Sequence, residues 1–391
     1  MAIYLDNHAT TRLDPRVLEA MLPWLGEHYG NAGSLTHAFG REAHDAVEEA
    51  RAQVAAAVGA TPREIIFTSG ATESANLAIL GSAARPGRER GRLVSWKTEH
   101  PAVLDPLEHL ASRGYDVQLL SVASQATDAA GRIDLASLQQ ACVEGTFLVS
   151  LLLANNEVGT IQPAAEVAAI AHGCGAVLHL DAAQAFGKMP FKVDALGADL
   201  VSLSAHKFHG PKGVGALFVR RRERVARLAP RVFGGGQERS LRSGTLNVPG
   251  IVGMGVAAAL ATAEMEADAE AMRQLRDRLW GRLSERVPDV HLNGPALAAR
   301  GLRLPGNLNV RIGGVDGQTL LATLGDGELA VSSGSACSSA SPRPSHVLRA
   351  LGLDEDQARA SLRFGLSRFT TIDEVDRAVD LIAAAVAQLR G

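Results

Sequence analysis

Short apolar runs and helical patterns alternate through the first 220 residues of the chain. The runs are EIIFTSG, RLVSWK, DVQLLSV, TFLVSLLLAN, AVLHLD, DLVSLSA and GALFVR. Segments such as PAVLDPLEHLASRG and AAEVAAIAHGC lie between them and repeat their apolar positions at helical spacing. Unbroken apolar strands alternating with helices predict an α/β fold with a mostly parallel sheet, covered on both faces. A long helical stretch, roughly 250–287, follows GTLNVPG. Beyond it, LNVRI, LAVSSG and the amphipathic TIDEVDRAVDLIAAAVAQL predict a second, smaller α/β unit.

Composition removes several function classes. The 391 residues carry a net charge of −3, which gives no global electrostatic case for nucleic acid or an anionic membrane. No run of eighteen apolar residues is present, so no spanning helix is expected. MAIYLDNHATT enters a strand pattern without a basic leader, and a cytoplasmic protein is expected. The arginines of RRRERVARLAPR, residues 220–231, read as a solvated turn and helix face, with docking of an acidic partner as the alternative.

Cys142, Cys174 and Cys337 lie far apart with no CxxC and no zinc-like spacing. Cys142 and Cys174 adjoin apolar strands and read as small buried hydrophobes. Cys337 differs, because positions 332–341 contain only Ser, Gly, Ala and this one thiol. Nothing there packs a core, which predicts a backbone free to carry the thiol between two places.

In an α/β sheet, ligands bind outside the carboxyl ends of the strands. Four strand ends carry chemistry here. FTSGATES turns at Ser69-Gly70 and opens a helix at Ala71-Thr72; it is either an ordinary capped terminus or a phosphate seat. HLDAAQ places Asp181 at a strand end with Gln184 one turn on; Asp181 is either a helix cap or the anion that keeps a heterocyclic nitrogen protonated. LSAHKFHGPKG places Ser204, His206 and Lys207 directly after a buried run; the lysine is a phosphate ligand or a Schiff-base amine. KTEHPAV closes a strand on His100, suited to stacking on a ring and to acid–base work. Lys207 follows Asp181 by 26 residues, enough for one helix and one strand, so the two belong on adjacent strand ends. A lysine for an aldehyde, an acid for a ring nitrogen and donors for a phosphate make the pyridoxal phosphate pattern.

YLDNHATT, SGATESANLAI, EHPAVL, NNEVGTIQP, HLDAAQAFGK, SAHKFHGPKGVGAL, GGGQERSLRSGTLN, SSGSACSSAS and SLRFGLSRFT follow one another along nearly the whole chain. In this set the sequence resembles the cysteine desulfurases of the NifS/IscS type, within the class-V aminotransferases. The resemblance implies a fold type I homodimer, with a large domain over 14–257 and a small one formed by 1–13 and 258–391. It implies that Lys207 binds the cofactor aldehyde, Asp181 the ring nitrogen and Gln184 the phenolic oxygen, with Asn156 close by and His100 on the ring. Ala71, Thr72, Ser204 and His206 would hold the phosphate, and Thr245 would reach the phosphate of a neighbouring subunit. Arg363, with Asn7 nearby, would bind the substrate carboxylate, for which a guanidinium is suited on its own chemistry.

The implied reaction takes sulfur from L-cysteine, leaving alanine and a persulfide on Cys337 for an acceptor protein such as an iron–sulfur scaffold or a tRNA-thiolation protein. His100 would carry a proton. No resident metal is implied; a transient iron–sulfur ligation by Cys337 with a scaffold stays open. An aminotransferase or a selenocysteine lyase on the same fold is the alternative, although the SSGSACSS form of the Cys337 segment resembles the NifS/IscS group.

Overall fold

The computed structural model describes residues 2–222, 226–324, 327–333 and 344–391. After a short β1 (Ile3–Tyr4), the expected runs form β2 (Ile65–Thr68), β3 (Arg92–Trp96), β4 (Asp116–Leu120), β5 (Thr146–Leu152), β6 (Val177–Asp181), β7 (Leu200–Ser204) and β8 (Gly215–Val219). β2 to β8 make one sheet in the order β2-β8-β7-β6-β5-β3-β4. β8 alone runs antiparallel to its neighbours β2 and β7; the other pairings are parallel. The link from β7 to β8 is a turn of residues 205–214, shorter than a parallel crossover needs. Every residue of β5, β7 and β8 is buried, which is why these runs read as continuous rather than alternating.

One residue on β6 makes the sheet sensitive to acid. His179 is fully buried and bridges two strands, Nδ1 meeting Ser150 Oγ and Nε2 meeting Ser202 Oγ, each at 2.8 Å. Burial pushes its pKa down to about 3. The unfolded chain therefore takes up this proton first, so the stabilising contribution is complete above the ordinary histidine pKa and is lost as pH falls toward 3. Between neutral pH and pH 4 the wild type should lose roughly 3 kcal/mol more unfolding free energy than His179→Gln. Urea unfolding of both proteins across that range checks this.

The predicted long helix is in fact two, Val248–Ala263 and Met265–Arg286, bent by 72°. The first is apolar nearly all round, whereas the second is rich in charge, so they belong in different surroundings. Glu264 at the break is held by Arg16 and Arg368, and Arg368 also pairs with Asp268 at 2.8 Å. Among the described residues no single helix is long and apolar enough to cross a membrane.

A second sheet follows, built from β9 (Val290–Leu292), β10 (Asn307–Ile312), β12 (Ser332–Ser333) and β13 (Ser361–Gly365), in the order β12-β13-β10-β9. β11 (Leu329–Ala330) pairs instead with β1. The helix Ile372–Arg390 opens on a capping box between Thr371 and Glu374 and buries Val375, Val379 and Ile382. Two local expectations need correction. Cys142 and Cys174 are only half-buried, because each sits at a helix C-cap rather than within a strand. Arg220 is buried, not solvated: its guanidinium bonds Ala198 O and Val193 O and pairs with Asp194 at 2.8 Å.

Candidate active site

The carboxyl ends of β2, β3, β5, β6 and β7 open onto a cavity of about 450 Å³. Its walls include Ala71, Thr72, His100, Asn156, Asp181, Gln184, Ser204, His206 and Lys207. Topology brings them together: parallel neighbours end at one edge, so residues far apart in sequence meet there.

One end of the cavity is formed where β2, β8 and β7 lie side by side. Gly215 pairs with Thr68 on one side and Ser204 on the other. A Cβ on Gly215 would stand 2.5 Å from Leu203 O and 2.6 Å from Gly70 Cα. Only glycine lets the turn before the helix Ala71–Ala83 approach the β7 end this closely. Gly70 itself has φ 154 and ψ 179, a backbone open to glycine alone, and no side chain caps the helix after it. The first helical N–H groups at Ala71, Thr72 and Glu73 thus belong to residues that line the cavity, with the positive end of the helix behind them.

Around the middle, Asp181 closes β6 and accepts the N–H of Ala183 at 3.0 Å. Burial raises its carboxyl to about 6, against the lowering effects of that N–H and of Lys207. Lys207 follows β7 in the turn Ala205–Lys207, and its Nζ donates to His8 O at 2.7 Å and Ala9 O at 2.9 Å. His100 caps the helix Pro101–Ser112, Nδ1 accepting from Ala102 N at 3.0 Å. That bond requires a bare Nδ1, so the proton of the neutral ring sits on Nε2. Burial first, and Lys207 second, push His100 down to about 4, which makes the ring neutral at physiological pH. His206 is lowered to about 4 for the same two reasons.

Not every predicted residue lines this cavity. Arg363 is 1 % exposed on β13 and is engaged by groups distant in sequence: Nη2 donates to Asp6 Oδ1 at 2.7 Å and to Ser332 Oγ, and Nη1 to Asn156 O. Asn7 is buried beside it and donates to Gly365 O at 2.8 Å. Thr245 is exposed and outside the walls of this chain's own cavity. Cys337 lies outside the described residues. Sequence reasoning also missed Thr10, Glu73, Lys212 and Gly213 as wall residues. Glu73 sits near the helix terminus, where its carboxylate accepts Ser69 N and pairs with Arg242 at 2.8 Å.

A mixed sheet whose carboxyl edge brings a lysine, a carboxylate and a helix terminus to one cavity is the frame of an α/β enzyme with its ligand site at the strand ends. The chain belongs to the class-V aminotransferase family, which it matches over residues 3–378. It is 51% identical over 388 residues to cysteine desulfurase IscS of Anaeromyxobacter dehalogenans (strain 2CP-C), covering 99% of this chain and 93% of that protein. Among solved structures it resembles a NifS-like protein, at 38% identity and a TM-score of 0.90 with 99% of this chain and 100% of the other covered. It also resembles SspA in complex with cysteine, at 36% identity and a TM-score of 0.81, covering 95% and 100% respectively.

Proposed function

We propose that this protein is a pyridoxal-phosphate-dependent cysteine desulfurase that passes sulfur from L-cysteine to Cys337 and releases alanine. The observation carrying this reading is the convergence of Lys207, Asp181, Gln184, Ser204, His206 and His100 on one cavity whose end is an uncapped helix terminus. The donor set suits the cofactor chemically. N–H groups and hydroxyls lie at one end for a phosphate, a buried carboxylate stands in the middle for a ring nitrogen, and an amine is at hand for an aldehyde. When bound, pyridoxal phosphate supplies an electron sink for bonds at the substrate's α- and β-carbons.

The protein's own groups do the rest. Asp181 keeps a cation at the ring nitrogen, and that cation would in turn bring its raised pKa down. Arg363 receives the substrate carboxylate in exchange for Asp6, keeping a buried guanidinium paired at each stage. The Cys337 thiolate forms a new S–S bond to the substrate sulfur as the carbon–sulfur bond breaks. The electron pair of that bond stays on carbon, which gains a proton to become the methyl group of alanine. His100, neutral with its proton on Nε2, is placed to deliver or collect a proton. The likeness to IscS and to a protein bound to cysteine supports the substrate. We propose further that the enzyme works in the cytoplasm as a homodimer, with Thr245 completing the partner's phosphate site and a scaffold-like acceptor protein taking the sulfur.

Purified protein should show a visible cofactor band that changes on adding L-cysteine, with alanine formed and sulfide released under reductant. A colourless protein, or one that transaminates a keto acid without forming sulfide, would overturn the reading. Replacing His100 with Gln should lower kcat for alanine formation by about 10²- to 10³-fold and change KM much less. Because the ring is already deprotonated above about pH 4, the wild-type kcat/KM profile should show no inflection from it near 6.5.

A further inference from the structure

Lys188 has no part in the site described above, yet it stands directly behind it. It follows Gln184 by one turn, and its Nζ donates to Gln184 Oε1 at 2.9 Å. Gln184 is 1 % exposed and lines the cavity. Its other contacts are with the N-terminal segment: Nε2 donates to His8 O at 2.8 Å, and Oε1 lies 3.1 Å from His8 Nδ1.

These contacts fix every polar atom. A backbone carbonyl can only accept, so the Gln184 atom at His8 O is the nitrogen, and the atom facing Lys188 Nζ is the oxygen, which accepts from it. His8 Nδ1 must then be a donor too, which leaves Nε2 of a neutral ring bare; this buried nitrogen indeed has no partner. Burial holds His8 far below its ordinary pKa, consistent with one ring proton. Gln184 Nε2 carries two hydrogens and gives one to His8 O. We propose that Lys188 is a positioning residue, which holds and polarises the Gln184 carboxamide so that its remaining N–H serves an anionic oxygen in the cavity. This inference rests on the proposed cofactor and names a residue beyond those assigned to it.

The electrostatics support the geometry. Among the described residues no carboxylate pairs with Lys188. The titratable and charged groups around it are His8 from the N-terminal segment, His206, Lys207 and His209 from the turn after β7, Arg363 on β13, and Asp268 and Arg368 across a small shared cavity, while Glu266, Glu270, Arg273, Arg276, Arg300 and Arg303 line a second cavity that Lys188 also borders. Burial, with Lys207 and Arg363 as like charges, lowers Lys188 to about 7. An anion arriving at Gln184 favours the charged form, and a carboxamide that accepts from a cation is the stronger donor.

The test is a pH titration of the visible cofactor band in wild type, Lys188→Met and Lys188→Arg holoenzymes. A nearby cation opposes protonation of the bound chromophore, so removing it should raise the midpoint, by about one pH unit in Lys188→Met. Lys188→Arg should stay within a few tenths of wild type. Lys188→Met should also release cofactor about tenfold more readily on dialysis. Equal midpoints in wild type and Lys188→Met would overturn the proposal, even if both variants melt at lower temperature, because a purely structural role moves stability alone. Should Lys188→Met fail to fold, Lys188→Gln, which keeps a donor but no charge, carries the same expectation. A wild type with no visible band would sink the proposed function and this inference together. A normal wild type with an unmoved Lys188→Met midpoint would sink this inference only.

Discussion

Replacing Lys207 with Ala should abolish the covalent cofactor band and lower alanine formation by at least about 10³-fold, while the protein stays folded. The direction follows from position. Lys207 closes the short turn Ala205–Lys207 directly after β7, which brings its amine to the same edge as Asp181, on the neighbouring strand β6. Lys212 also lines the cavity, but it sits on the far side of the turn, beyond Pro211, and is not a replacement anchored at a strand end. The fold should tolerate the change, because Nζ serves two backbone carbonyls, His8 O and Ala9 O, that can take other donors. Cofactor should still enter, held by the helix terminus, Ser204 and Asp181, and be released readily on dialysis. Absorbance before and after dialysis, with alanine measured alongside, checks both halves. A Lys207→Ala protein that keeps a dialysis-resistant band and wild-type turnover would exclude Lys207 as the anchor.

The sequence made that lysine legible because a strand and its end are local. Each apolar run of the large sheet could be read from its own residues, and a polar group just after a buried run has few structural reasons to be there. The antiparallel β8 was less visible, since its direction depends on the length of one turn and not on its composition. The partners of the site residues were hidden altogether. Asp6 meets Arg363 across 357 positions, and Glu73 meets Arg242 across 169. Lys188 looked like one more charged residue after a glycine, and only the folded chain sets it against Gln184. The break at Glu264 belongs to the same group: helical periodicity persists through it, and the reason to bend is a cluster of arginines drawn from distant segments. Chemistry carried by strand ends could be read from the sequence, the adjacency of Asp181 and Lys207 included; the side-chain partners of Arg363, Glu73 and Lys188 could not.

Arg363 connects the two sheets to the reaction. It is buried on β13, and β12 lays Ser332 directly opposite it. The next helix, His346–Ala350, begins at Ser345, whose Oγ caps it and also donates to Glu157 Oε2. His346 Nε2 then donates to Glu99 O, beside His100 in sequence. Ser332 is thus paired with β13, while Ser345 and His346 are tied to the residues next to Asn156 and His100.

Cys337→Ala should separate cofactor binding from sulfur transfer. The groups proposed to hold the phosphate and the ring are Ala71, Thr72, Ser204, His206, Asp181 and Gln184, so the visible band should match wild type, and L-cysteine should still change it. Alanine release should fall by at least about 10³-fold, because the carbon–sulfur bond then lacks the nucleophile that takes its sulfur. The other two cysteines are poor substitutes. Cys142 and Cys174 cap helices away from the cavity, and burial together with its neighbour Cys174 raises the Cys142 thiol to about 12, so almost none of it is thiolate at neutral pH. A persulfide trapped by alkylation after L-cysteine should appear on Cys337 in the wild type and be absent from the variant. Alanine produced from L-cysteine at the wild-type rate by Cys337→Ala would show that sulfur leaves by another route. Retained alanine formation without any protein persulfide would point to an added thiol reductant taking the sulfur from the substrate directly, with sulfide released as that thiol is oxidised to its disulfide; sulfide accompanied by pyruvate instead of alanine would point to β-elimination.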